Sequence, residues 1–254
     1  MRPHALSPVA LVASLLALAP VPAIAQIPDR FENLEILPRD IPRDSLIQIM
    51  RGFTSALGVR CNHCHVARDS AGTERLDFRS EARPEKEQAR FMMRMVADLN
   101  RQVLPQLPGR SDPPVRVECV TCHRGLSLPK TLETILAETV AEEGVAAAIQ
   151  RYRKLREEEM PLGRYNFGEQ TVNQLARRLG AQGKTAEAIA LLEMNQEFYP
   201  RSSAIDLQIA DLHRARGERD RAIVRYRMVL EKAPDNQAAR RRLEELTGTA
   251  PPRR

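Results

Sequence analysis

The chain has no tryptophan, and its aromatic residues amount to only 4% of 254. A core filled by large aromatic side chains is therefore thinly supplied. Beyond the N-terminal stretch, no segment approaches the roughly 20 apolar residues that a membrane-spanning helix needs, so no integral membrane segment is expected. Cysteine is scarce: Cys61, Cys64, Cys119 and Cys122 are all there is. None stands just after the expected export-signal cleavage site, which speaks against lipid anchoring there.

Charge excludes little by itself. The formal net charge is +6 with a pI near 9.4, but the arginine clusters Arg214, Arg216, Arg219, Arg221 and Arg240 to Arg242 are interleaved with Glu218, Asp220, Glu244 and Glu245. At helical spacing they read as solvated faces, and no nucleic acid partner is expected. Met1 to Ala25 has the form of a secretory signal, with Arg2 in a basic start, Val9 to Ala19 as the apolar run and Ala23-Ile24-Ala25 at the cleavage site. The mature protein is expected to be soluble and periplasmic.

In such an oxidising compartment four cysteines would ordinarily mean two disulfides. Their context points elsewhere. Cys61-Asn62-His63-Cys64-His65 and Cys119-Val120-Thr121-Cys122-His123 spell C-x-x-C-H twice, with no cysteine left over. Two thiols at this spacing can each add to one vinyl group of a haem, and the adjacent histidine can reach its iron. The expected cofactors are two covalent haem c groups, held by Cys61, Cys64, Cys119 and Cys122, with His65 and His123 as proximal iron ligands. A zinc or dithiol site is the plainer reading, but neither requires the histidine after the second cysteine. Each haem buried would also supply apolar surface that the side chains lack.

Ahead of each motif stands a helical pattern that carries methionine. From Pro42, residues Leu46, Ile49, Met50, Phe53 and Leu57 recur at steps of three and four, and Gly58 follows as a turn residue. Met50 on that stripe is either core filler or a sixth iron ligand. Residues 66–83 read as a polar loop containing Gly72. A second helix runs from Pro84 to about Val103, with Met92, Met95, Val96 and Leu99 on one face, Phe91 beside them and Met93 turned away. Prolines and Gly109 then make a loop that leads to Cys119. Arg60 and Arg124 adjoin the motifs and are candidates for pairing with haem propionates.

Three stretches resemble the cytochrome c subunit of photosynthetic reaction centres and its two-haem relatives: Met50 through Gly58-Val59-Arg60-Cys61 to Cys64-His65, Ala89 to Asn100, and Val117 to Gly125. The resemblance covers about Phe31 to Pro129. It implies that a helix methionine ahead of each motif binds iron opposite the motif histidine, which assigns Met50 to the first haem and Met92 to the second, with Met95 in reserve. There are departures. Photosynthetic members hold four haems and are commonly lipid-anchored; here there is one pair, and no histidine between His65 and His123 could make a bis-histidine haem. A light-driven role is therefore not implied. His63 falls where the family varies and reads as solvent-facing.

After Pro129 the composition turns to alanine, leucine and arginine. Leu175-Ala176 recurs as Ile209-Ala210, Gly183 as Gly217, Ala188-Ile189 as Ala222-Ile223 and Pro200 as Pro234, a period of 34 residues. The pattern looks like tetratricopeptide repeats, which stack helix pairs and bind proteins. Leu132 to Arg156 reads as a degenerate first repeat with a six-residue offset, Gln237 to Leu246 as a capping helix, and His213 as a packed core residue.

The expected fold class is all-α, a dihaem c-type cytochrome domain followed by a tetratricopeptide-like domain. The boundaries are a signal peptide at 1–25, the cytochrome domain at 26–130, a degenerate repeat or linker at 131–165, repeats at 166–248 and a disordered tail at 249–254. The expected function is single-electron transfer between redox partner proteins, with the repeats as a protein-docking module and no catalytic residue. A dihaem peroxidase and a haem-based redox sensor are the alternatives.

Overall fold

The computed structural model describes residues 30–70 and 73–248. The expected signal peptide, Gly72 and the expected tail at 249–254 lie outside the described residues. Apart from one hairpin and irregular stretches that include residues 30–42 and 107–118, the described chain is helical. It divides into two compact units, one comprising the chain up to Gln48 with Arg60–Asp98, the other Ile49–Val59 with the chain from Leu99 onward.

Helix α1, Arg43–Leu57, begins after Pro42 and carries Asp44 in its first turn, where a negative charge suits the helix dipole. Its apolar stripe buries Leu46 and Ala56 and half-buries Met50 and Phe53. Gly58, at φ +65°, ends it in the left-handed conformation, and the Val59 amide closes back on the Thr54 carbonyl at 3.1 Å.

In the first unit, the stretch read as a loop contains a hairpin. Strands β1, Val66–Ser70, and β2, Thr73–Asp77, pair antiparallel with Val66 opposite Asp77 and Ser70 opposite Thr73. Its residues lack the apolar alternation of a half-buried strand, so the backbone pairing left no pattern in the sequence. The Lys86 ammonium, buried on helix α2, Pro84–Asp98, donates to the carbonyls of Phe78 at 2.8 Å and Ser80 at 2.7 Å and to Glu81 at 3.2 Å. Arg90, one turn on, donates to Glu81 at 2.8 Å and to the Asn33 carbonyl at 3.3 Å, while the Asn33 amide donates to Glu81 at 2.6 Å. Two cations and one amide thus tie the N-terminal lead-in and the post-hairpin turn to α2. The helix expected to reach Val103 is α-helical only to Asp98 and continues as a π turn, Leu99–Val103.

In the second unit, Asn100 of that turn exchanges two hydrogen bonds with Val117, at 2.7 and 2.9 Å, and so ties off the loop before helix α3, Cys119–His123. Helices α4, Leu132–Glu142, and α5, Val145–Glu159, follow, then α6, Glu169–Ala181, α7, Thr185–Phe198, α8, Ser203–Ala215, α9, Arg219–Lys232, and α10, Gln237–Thr247. The pair α8 and α9 repeats α6 and α7 in length and in its 34-residue displacement. Ala176, Ala188, Ala210 and Ala222 are fully buried, as close helix approach requires, with Leu175, Leu192, Ile209 and Tyr226 between them. The offset of the earlier pair falls in the long connection between α5 and α6, which buries Phe167 against the Tyr152 ring.

The charged residues of the tail pair with one another. Arg216 and Arg221 reach Glu218, Arg242 reaches Asp211 at 2.7 Å, and Arg214 approaches Glu245. Fully buried Asp206 is held by Lys232 at 2.6 Å, Arg225 at 3.1 Å and the Gln196 amide at 2.6 Å, which satisfies a carboxylate that would otherwise be prohibitive to bury. His213 is buried, with Nδ1 2.6 Å from Glu218.

Candidate haem-attachment motifs

The first motif is wound as a single tight turn. Cys61–His63 form a 3₁₀ turn, and the amides of Cys64 and His65 both point to the Cys61 carbonyl, at 3.3 and 3.0 Å. Cys61 is exposed and Cys64 half-buried, and neither is in a disulfide. Burial, followed by the Glu85 carboxylate, pushes the Cys64 thiol pKa up and keeps it protonated. The His65 ring stands edge-on to Phe78, with centroids 4.9 Å apart and planes at 68°. Its Nδ1 is buried with no hydrogen-bond partner among the described residues. Burial first, and the Lys86 ammonium second, pull its pKa down to about 4, so the imidazole is neutral and offers a nitrogen lone pair.

The second motif is a short helix. The Glu118 amide donates to the Thr121 hydroxyl at 3.0 Å, which fixes the start of α3, and Cys119 is half-buried while Cys122 is exposed. Burial raises the Cys119 thiol pKa. After His123 two residues in succession are left-handed, Arg124 at φ 50° and Gly125 at φ 80°. That turn brings the Leu126 carbonyl to 2.8 Å from His123 Nδ1. A carbonyl can only accept, so Nδ1 carries the proton and Nε2 is left with its lone pair. His123 as a whole is 8% exposed. The turn is held from two sides: the Gly125 amide donates to the Ala56 carbonyl at 2.8 Å, and a side chain on Gly125 would meet the Arg164 guanidinium at 3.0 Å. Arg164 is itself paired with Glu159 at 2.9 Å.

The other expected site residues lie as follows. Met50 is half-buried on α1 and belongs to the second unit, whereas Cys61 to His65 belong to the first. Met92 and Met93 are half-buried on α2 in the first unit, and Met95 is more open at 37% exposure. Arg60 and Arg124 are exposed and His63 is half-buried, its amide bonded to the Arg60 carbonyl in the 3₁₀ turn. Sequence reasoning did not identify Phe78, Lys86, Arg164 or the Leu126 carbonyl. A backbone carbonyl carries no residue signature; the one available signal was Gly125 placed two residues after the histidine.

These features fit haem c. Each motif presents two unpaired thiols and a histidine with a nitrogen lone pair, and the buried Nδ1 of His65 has no partner among the described residues. In the second unit Val115, Val120 and Leu128 are exposed at 49 to 73%, and in the first unit Phe91 on α2 is exposed at 61%, apolar surface in each that a prosthetic plate would cover. Among the described residues no group of three or more histidine, cysteine, aspartate or glutamate side chains converges as a metal site, so neither cysteine pair has the further ligands of a zinc tetrahedron.

Comparison with known proteins bears on the same stretch. Residues 43–131 match the family model of the photosynthetic reaction centre cytochrome C subunit. Cytochrome c-554 of Chloroflexus aurantiacus is 33% identical over 87 residues, which is 34% of this chain and 18% of that protein. The chain thus spans under a fifth of the length of this curated relative. A solved structure of Naa15/Naa10 bound to HypK-THB aligns with 45% of this chain and 16% of its own at 22% identity, with a TM-score of 0.31. At that score it carries no argument.

Proposed function

We propose, from the premise that residues 43–131 are a relative of the reaction-centre cytochrome c family, that the protein is an exported dihaem cytochrome that passes single electrons between protein partners. The observation that carries this reading is the second motif: paired free thiols on one short helix, followed by a histidine whose proton is pinned on Nδ1 by the Leu126 carbonyl at 2.8 Å. That arrangement directs a lone pair from a rigid, buried ring, which is what a proximal iron ligand must do. Bound haem supplies the one-electron couple of its iron.

The roles of the chain's residues follow. Cys61 and Cys64, and Cys119 and Cys122, would tether one haem each, and His65 and His123 would bind the irons. Met50 and Met92 would be further iron ligands, with Met95 in reserve. Thioether ligation by these methionines would exclude oxygen and peroxide from the iron, as a carrier requires and a peroxidase does not, and would raise the potential. The repeat helices offer no catalytic group and serve as a docking module for a protein partner.

An intact mass and a reduced absorption spectrum, on protein made in a host that attaches haem, test the proposal. Two haems above the mature chain and a low-spin spectrum at both centres are expected. An unmodified mass would refute it, and one high-spin haem with peroxide turnover would turn the reading to an enzyme.

A further inference from the structure

The two motif histidines are held by different means. His123 donates its Nδ1 proton to the Leu126 carbonyl at 2.8 Å. Such a bond shifts electron density toward the ligating nitrogen and favours the more positive, oxidised metal. His65 has no such partner among the described residues; its Nδ1 is buried and unbonded. Packing orients this ring instead, through the edge-on Phe78 at 4.9 Å. The Phe78 carbonyl is in turn gripped by the Lys86 ammonium at 2.8 Å and the Asn33 amide at 3.1 Å. The ring is fixed, but its donor strength is not raised.

Charge acts in the same direction. The first unit sets Lys86 and Arg90 against Glu81, Glu87 and Glu35. By count the carboxylates prevail. By burial these pairs favour the cations, which are 8% and 13% exposed against 45%, 63% and 54% for the three carboxylates; Glu85, with a buried Oε2, acts against them on the Cys64 side. Water and salt screen the exposed charges far more than the buried ones, so among these ion-paired groups the buried Lys86 ammonium weighs most, and it opposes the extra positive charge of an oxidised iron.

We propose that Lys86 and Phe78 on one side, and the Leu126 carbonyl on the other, set the order of the two redox potentials, the His65 centre being the more easily reduced. They are positioning residues that act through the histidines. The proposal rests on the dihaem reading above. In it, an electron given to the pair resides first at the His65 centre.

A spectroelectrochemical titration of the two-haem protein tests this. Two resolved one-electron waves are expected. Lys86→Met should lower only the higher wave, changing the oxidised-to-reduced ratio of that centre about tenfold at fixed solution potential. Lys86→Arg, which keeps the charge, should restore most of it, and Phe78→Leu should move the same wave, so that the test survives if Lys86→Met does not accumulate. Coincident waves, a shift confined to the lower wave, or no shift in either variant would overturn the assignment while leaving two attached haems in place. A mass without haem would instead overturn the functional reading on which it stands.

Discussion

The motif-bearing segment and the repeat tail use the same material, short helices joined by glycine turns, and close their interiors in different ways. From α4 to α9 the tail buries Leu136, Ala148, Tyr152, Leu175, Leu192 and Tyr226 completely. Each large apolar side chain so buried contributes about 1.5–3 kcal/mol. The motif segment buries only Leu46 and Ala56 among its described apolar side chains, at 6% and 7% exposure, and leaves Phe91, Val115 and Val120 open. Its order comes from polar clamps, Lys86 and Arg90 on Glu81 in one unit and Asn100 on Val117 in the other. The tail fills its interior with its own side chains; the motif segment, among its described residues, stays thinly filled.

The largest break in this comparison should come from withholding the prosthetic group. Protein made in a host unable to attach haem should lose hydrogen-exchange protection across α1 to α3 while α4 to α10 keep theirs. Equal protection in both regions would mean that the motif segment is self-sufficient. The converse variant is Tyr152→Ala. The ring is fully buried against Phe167 and Phe198, and its removal should cost about 3–5 kcal/mol in urea unfolding of the tail, with the haem spectrum unchanged.

How far each region was legible follows from the same contrast. The tail advertised itself because its packing is periodic: Ala188 and Ala222 must be small for helices to meet, and they recur 34 residues apart. The motifs were legible through covalent spacing, and the turn after α1 through Gly58. What escaped was whatever depends on backbone or on long-range polar partners. The hairpin of β1 and β2 has no apolar alternation. The bond from His123 to Leu126 is made by a main-chain carbonyl. Lys86, Arg90 and Glu81 look like ordinary surface charges until the turn after the hairpin brings the Phe78 carbonyl to the Lys86 ammonium and to the amide of Asn33, 45 residues away. The π turn after Asp98 likewise follows from Asn100 finding Val117, a partner 17 residues away.

Glycine substitutions sharpen the comparison at a smaller scale. Gly58 and Gly183 both have positive φ, +65° and +79°, but a side chain on Gly58 would lie 2.0 Å from the Gly125 carbonyl oxygen whereas one on Gly183 meets nothing within 4 Å. Gly183→Ala should therefore cost only the left-handed backbone term, about 1–2 kcal/mol. Gly58→Ala should cost that and more, since main chain must yield, and should disturb the turn after His123 as well. Equal losses in thermal unfolding would show that the approach of the two turns is not tight.

The smallest effect expected is on acid stability. The guanidinium of Arg90, hydrogen-bonded to Glu81 and aided by Asn33 and Lys86, pulls the Glu81 pKa from its ordinary 4.5 to about 2. A carboxylate whose pKa is depressed by folding contributes stability that is fully present above 4.5 and is lost as pH falls from there toward 2. Glu81 is 45% exposed on its side chain, so solvent screening keeps the effect modest. Following α2 by hydrogen exchange between pH 5 and pH 3, wild type should lose protection progressively and Glu81→Gln should be lower but flatter. The tail offers the control: Tyr152→Ala should leave the acid slope of α2 as it is in wild type. A Glu81→Gln slope equal to wild type would place the acid-sensitive group elsewhere and remove this clamp from the account of how the thinly filled segment holds its shape.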